Sequence, residues 1–484
     1  MSPPAPPTLC LLMLPLVLVL GALAGSNAFD IAAMEPVTAS QGHLVATGNK
    51  ALYERMTLNG TLDPDSAADA AGMMDVNEIP VRYDEAQLWR IYNISEGMQK
   101  RLPFRQMLEQ KFGGNIWKEN SKFLDISIAK EQLKAARSFL AAHNIESQIL
   151  SDNIQSLIDQ EQLESVASTL GRLGARTKKA TRNGSGMHWK DYHDLETIYA
   201  FMREIRTKFP NVCRLYTIGK TAEGRDLKVL RISENPREYK KIWIDGGIHA
   251  REWISPATVT FILYQLMSNW ENQPAHIRGL TWYIMPVMNP DGYEYSRTVN
   301  RLWRKNRSPS RRAKCFGVDL NRNFDIGWNG YGSSTNPCSD TYRGSQPASE
   351  LETQAVVEFL SKRKYNLESY LTYHSYGQMV VYPWAYKAVK VKDASVLQRV
   401  ANTAVQRIAQ KTGANYRASV THEALGIAGG GSDDWSRAAL NVKYVYTIEL
   451  RDRGNFGFVL PPRFIKDTAL EGWTLAETVA QAIG

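Results

Sequence analysis

His249 and Glu252 stand three positions apart in Gly247-Ile248-His249-Ala250-Arg251-Glu252-Trp253, directly after the apolar run Ile242-Trp243-Ile244. An imidazole and a carboxylate so spaced can face one cation, and this donor pair suits zinc. A catalytic zinc keeps three protein ligands and one open position, so a third ligand must come from elsewhere. The chain has eight histidines, and among the others His374 closes a second β-rich run, Tyr370-Leu371-Thr372-Tyr373-His374. Strand ends at one edge of an α/β sheet converge on a crevice. His249, Glu252 and His374 are therefore the candidate metal ligands.

Alone, an HxxE pair or a strand-end histidine is common in unrelated proteins. Together, His249-Ala250-Arg251-Glu252-Trp253 and His374-Ser375-Tyr376 resemble the metal motifs of zinc carboxypeptidases of the pancreatic A/B family. Further motifs follow in the family's order. The resemblance implies one Zn²⁺ per catalytic domain, held by these three side chains. In Tyr446-Thr447-Ile448-Glu449-Leu450-Arg451-Asp452 it makes Glu449 the general base, although the local sequence alone would favour a surface ion pair. In Asn300-Arg301-Leu302-Trp303-Arg304-Lys305 it gives Arg304 the task of stabilising the oxyanion. In Asp319-Leu320-Asn321-Arg322-Asn323 it sets Asn321 and Arg322 against the substrate's terminal carboxylate, which a planar guanidinium fits. Arg251 is expected to hold substrate deeper in the cleft.

Specificity is expected at Gly430-Gly431-Ser432-Asp433-Asp434-Trp435. By the resemblance, Asp433 stands where A-type members carry an apolar residue and B-type members an aspartate. A carboxylate in that pocket favours C-terminal Lys or Arg. Asp434 is shared by both types and is read as structural. One departure is Gly426, which occupies the position of the family's mobile substrate-capping tyrosine. Two other readings stay open: A-type preference for apolar termini, and a catalytically silent secreted protein that keeps the zinc.

Elements must hold these residues in place. From 183 to 484, strand-like runs (Leu227–Ile232, Lys241–Ile244, Thr281–Val287, Leu371–His374, Tyr444–Leu450) alternate with helical ones (Leu195–Lys208, Ala257–Asn269, Glu350–Lys362, Ala394–Thr412, Ile465–Ala482). The alternation predicts an α/β domain with helices on both faces of its sheet, and the resemblance implies a mixed, mostly parallel sheet. Residues 79–165 read βαββαβ, a ferredoxin-like α+β arrangement. In this place it resembles the family's activation domain, an intramolecular inhibitor. A basic segment at 166–182, with Arg172, Arg176, Lys178, Lys179 and Arg182, reads as the connection cut by a trypsin-like protease.

The N-terminus carries a leucine-rich run ending in Ala22-Leu23-Ala24-Gly25, which predicts a signal peptide at 1–24 and a secreted product without a membrane anchor. Residues 25–78 read as a low-complexity extension. Secretion favours disulfides, and the resemblance pairs Cys315 with Cys338, leaving Cys213 as a buried thiol. The net charge of +9 is dispersed and comes without a nucleic-acid motif, so no nucleic-acid partner is expected. The expected partners are peptide or protein C-termini as substrate, the activating protease and the chain's own propeptide.

Overall fold

The computed structural model describes residues 79–92, most of 104–175, and 184–484 except 238 and 311–313. The expected signal peptide, the extension, the basic residues 176–182, and Asn59, Asn93 and Asn183, each of which opens an Asn-x-Ser/Thr glycosylation motif, lie outside the described residues.

The smaller region is a four-stranded antiparallel sheet of β1 (Gln87–Tyr92), β2 (Asn115–Glu119), β3 (Phe123–Ile128) and β4 (Ser147–Ser151). Its order is β2-β3-β1-β4, as the βαββαβ reading requires. Trp89, Ile91, Leu124, Ile126 and Ile128 turn one face to Leu108 and Phe112 of the first helical stretch and to Ala136 and Leu140 of helix α1 (Leu133–Ala142). A second helix, α2 (Ile154–Ala175), follows β4. The sequence spacing predicts a helix over Ile154–Leu173, close to the one observed, so the first residues of the connection expected at 166–182 lie within it. Its spacing is helical throughout, and the glycines at 171 and 174 do not stop it.

The larger region is built on an eight-stranded sheet. Its strands are β5 (Cys213–Lys220), β6 (Asp226–Ile232), β7 (Lys240–Gly246), β8 (Leu280–Met285), β9 (Leu367–His374), β10 (Met379–Tyr382), β11 (Arg417–Val420) and β12 (Tyr444–Glu449). The order is β11-β10-β12-β9-β7-β8-β6-β5. The centre, β12-β9-β7-β8, is parallel. Strands β10, β11 and β6 run antiparallel to it, while the edge strand β5, antiparallel to β6, shares the direction of the centre.

Helices α3 (Leu195–Lys208), α4 (Ile254–Met267), α5 (Ala394–Thr412) and α6 (Ile465–Ile483) cover one face, while α7 (Leu351–Ser361) and α8 (Ser432–Leu440) cover the other. Alternation along β7 shows the two layers directly: Ile242 and Ile244 join the first core, Trp243 the second. Helix α4 is apolar nearly all round because it lies between the sheet and α6. The two helices meet closely at Gly472, where a Cβ would fall 2.3 Å from Thr258. Cys315 and Cys338 form a disulfide, and Cys213 is buried as a free thiol. Asn306, in the sequon Asn306-Arg307-Ser308, is fully buried. Among the described residues no helix is long and apolar enough to cross a membrane.

Candidate active site and metal centre

Three adjacent parallel strands, β7, β9 and β12, bring their C-terminal ends to one edge of the sheet. The register sets Glu449 beside His374 and Gly246 beside Tyr373. Beyond Gly246 the chain turns at Gly247, where φ is +63° and a Cβ would fall 3.0 Å from Pro256, both of which favour glycine. Ser255 of α4 accepts from Gly247 N at 2.9 Å and donates to Tyr373 O at 2.5 Å. One hydroxyl thus ties together the two strand ends that carry His249 and His374.

His249 Nδ1 lies 2.7 Å from Glu252 Oε1 and 3.2 Å from His374 Nδ1, and His374 Nδ1 lies 3.2 Å from Glu252 Oε2. All three side chains are buried. Their outer nitrogens are engaged. His249 Nε2 meets Asp319 Oδ1 at 3.2 Å, and His374 Nε2 meets Thr372 Oγ1 at 3.2 Å. The Thr372 hydroxyl itself donates to Asp245 Oδ1 at 2.7 Å. With both Nε2 atoms engaged outward, the two Nδ1 atoms and the Glu252 carboxylate face one another, an arrangement that a cation between them, a metal ion or a proton on Nδ1, stabilises. Nitrogen and oxygen ligands about 2.0–2.2 Å from zinc stand at such mutual separations. The donor set fits zinc.

The charges nearby are strongly coupled to burial. Burial, reinforced by Arg304, pushes His249 down. Burial also opposes charge on His374, but Glu252 and then Glu449 draw it up to about 9. Burial lifts the Glu449 carboxyl to about 7, with His374 opposing and Glu252 assisting. A cation on the adjoining ligands would draw it lower.

On the opposite wall, Asn321 and Arg322 sit on the short helical turn Leu320–Arg322, capped by the Asp319 side chain at Asn321 N. Arg322 Nε donates to Gly332 O at 2.7 Å and Nη1 to Asn321 O at 2.8 Å. Burial pushes its guanidinium down to about 10, against the pull of Asp319. Asn321 Oδ1 accepts from Ser432 N at 2.9 Å, linking this turn to the start of α8. Gly430, at φ +79°, lets the loop press on Arg322, since a Cβ there would fall 2.2 Å from Arg322 O. Asp433, 4 % exposed, lines the cleft with Asn321 and Arg322 and accepts from Thr447 Oγ1 at 2.9 Å. Asp434 points away, accepting from the backbone of Ala385 and Tyr386 at 2.9 and 2.7 Å.

A family model described as zinc carboxypeptidase matches residues 198–475, and one described as carboxypeptidase activation peptide matches residues 104–161. The chain belongs to the zinc carboxypeptidase family. Mouse carboxypeptidase A4 is 34 % identical over 82 % of this chain and 93 % of its own length. Carboxypeptidase B of Astacus astacus is 39 % identical over 61 % of this chain and 98 % of its own. Among solved structures, thrombin activatable fibrinolysis inhibitor aligns with a TM-score of 0.71 at 30 % identity, over 83 % of this chain and 99 % of that one. This zinc carboxypeptidase is a metallocarboxypeptidase hydrolase made with an activation peptide.

In this zinc carboxypeptidase the activation region lies over the cleft. Arg251 is fully buried beneath it and donates to Asn115 Oδ1 at 2.9 Å, Ile116 O at 3.1 Å and Asp340 Oδ2 at 3.1 Å, with its guanidinium 4.1 Å from the Phe458 ring. The side chain expected to meet substrate is therefore engaged by β2 in this form. Lys118, also from β2, lines the cleft with its ammonium 5.2 Å from the Tyr376 ring. A Cβ on Gly377 would stand 2.8 Å from Lys118 Nζ and 3.2 Å from Glu449 Cβ, so cation and carboxylate flank one glycine. Burial pushes the lysine down, and Glu449 pulls the other way.

One residue was missed by motif reading. Asp319 is fully buried and takes His249 on Oδ1 and Arg304 Nε and Nη2 on Oδ2 at 3.0 and 2.9 Å. Burial opposes its charge, but Arg304, Arg322 and His249 hold the carboxyl well below the usual range. Its signal was an acid directly before Leu320-Asn321-Arg322, which is indistinguishable from an ordinary turn cap.

Proposed function

We propose that this chain is a secreted proenzyme whose freed catalytic domain, 183–484, removes C-terminal Lys or Arg from peptides and proteins. Residues 1–24 then serve as signal peptide, 25–78 as an extension, 79–165 as activation domain, and the basic residues before 183 as the cut site for a trypsin-like protease. The carrying observation is Asp433, a buried carboxylate in the cleft beside the Asn321–Arg322 wall. A basic terminal side chain would pair with it, whereas an apolar one would leave the charge without a counterion.

In this reading His249, Glu252 and His374 hold the zinc, which when bound acidifies a water and polarises the scissile carbonyl. Glu449 takes the proton of the attacking water and passes it to the leaving amine. Arg304 faces the carbonyl oxygen as it gains charge, its guanidinium pre-set by Asp319. Arg322 and Asn321 bind the terminal carboxylate, which restricts attack to the last peptide bond. Arg251 joins the substrate surface once β2 leaves.

The test is hydrolysis of matched dipeptides ending in Arg or Phe, before and after limited trypsin treatment, with a chelator control. Arg release is expected after trypsin only and is lost with the chelator. Asp433→Ile should lower kcat/KM for Arg at least about tenfold and raise it for Phe. An unchanged profile would sink the pocket assignment and return the A-type reading. Failure of processed, zinc-loaded protein on both substrates would favour the silent zinc-binding reading, with Gly426 as the first suspect.

A further inference from the structure

Gly426 leaves one side of the cleft bare. Its φ is +84°, and no atom lies within 4 Å of where a Cβ would project. Close by, Tyr331 lines the same cleft and is 48 % exposed. Tyr264, Tyr331 and Tyr365 are the tyrosines left substantially exposed among the described residues, and of the three Tyr331 alone lies on the cleft. Its backbone is held on two sides. Tyr331 O accepts from Gly429 N at 3.0 Å, and the carbonyl of the next residue, Gly332, accepts from Arg322 Nε at 2.7 Å. Gly332 itself, at φ +75°, presses so closely on the facing loop that a Cβ would fall 2.4 Å from Ile427 O. The main chain is fixed while the ring projects from it, and a tyrosine ring has few torsions to immobilise.

We propose that Tyr331 is a substrate-contacting residue, its ring packing over the C-terminal residue of a bound peptide from the side that Gly426 leaves open. The inference rests on the carboxypeptidase reading of the cleft. Because Arg322 holds Gly332, the residue after Tyr331, and in that reading also the terminal carboxylate, the ring is placed beside the residue it covers. Aromatic faces pack against aliphatic, aromatic and cationic side chains alike, so the contact supports affinity for Arg and for Phe termini. Asp433, not Tyr331, separates the two.

The experiment uses the full chain after trypsin treatment and zinc loading. N-acetyl-arginine and N-acetyl-phenylalanine are titrated by calorimetry, and steady-state constants are measured on the matching dipeptides. Tyr331→Ala is expected to weaken the bound acid about tenfold and to raise KM by a similar factor, with kcat within about twofold. Tyr331→Phe keeps the ring and is expected to match the parent. Equal binding by Tyr331→Ala and parent overturns the inference alone, as does a Tyr331→Phe variant that behaves like alanine. A fall in kcat at unchanged KM also overturns it. Parent protein that binds neither acid and cleaves neither dipeptide sinks the carboxypeptidase reading and this inference together.

Discussion

At the scale of single residues, Asp319 decides how the candidate ligands and the guanidinium point. One oxygen meets His249 Nε2 and so leaves Nδ1 free to face the metal, while the other fixes Arg304. Asp319→Asn keeps the shape but presents an amide N–H where one of these donors now arrives. Zinc affinity is expected to fall by about 10–100-fold, with kcat/KM falling further because Arg304 also loses its counterion. Competition against a chromogenic chelator measures the first, and unchanged affinity would show that Asp319 does not set the histidine tautomer. As candidate positions, His374 and Glu449 were legible because each closes an apolar run, and His249 and Glu252 because they share one short motif, while the role expected of Glu449 came from the resemblance. Asp319 was not, because its partners lie 15 and 70 positions away.

At the scale of elements, the strongly periodic helices and buried strands matched their sequence expectations to within a few residues. Helices Leu195–Lys208 and Ala394–Thr412 kept the expected bounds, the second ending at Gly413 in the left-handed conformation. Strands β5, β10 and β11 went unread; β10 and β11 are only four residues each, too short for a periodic signal, and exist by pairing with β12 and each other. Helix α8 also went unread: its first turn is occupied by Ser432, Asp433 and Asp434, which serve the cleft.

Helix α7 carries a further consequence. Glu352, in its first turn, is 1 % exposed and is pushed by burial up to about 8, with Asp291 and Glu350 adding. The folded state therefore holds a proton that the unfolded chain releases near its ordinary value of about 4.3, so stability falls as pH rises between those two values. Thermal melts from pH 5 to 9 should show a steeper decline for the parent than for Glu352→Gln. Parallel curves would mean that Glu352 does not titrate with unfolding.

At the scale of the whole molecule, the activation region is anchored by charges that meet across long stretches of chain. Glu161 of α2 and Arg301 form a paired hydrogen bond at 2.6 and 2.8 Å, both nearly fully buried. Arg301 also lies 3.7 Å from the Trp253 ring. Glu161→Ala leaves that guanidinium without a counterion, at a cost of about 3–5 kcal/mol. Faster tryptic release and at least about tenfold higher activity of the uncut proenzyme are expected. A proenzyme as silent and as slowly cut as the parent would show that the pair does not hold the domain closed. By itself the sequence determined the α/β class, the βαββαβ region and the residues at strand ends, because periodicity, turn chemistry and motif spacing are local properties of the chain. Only the tertiary structure decided that Arg251 lies under β2, that Asp319 joins ligand to guanidinium, and that Tyr331 stands beside the bare wall at Gly426. Those relations depend on packing between segments far apart in sequence, and no local pattern encodes them.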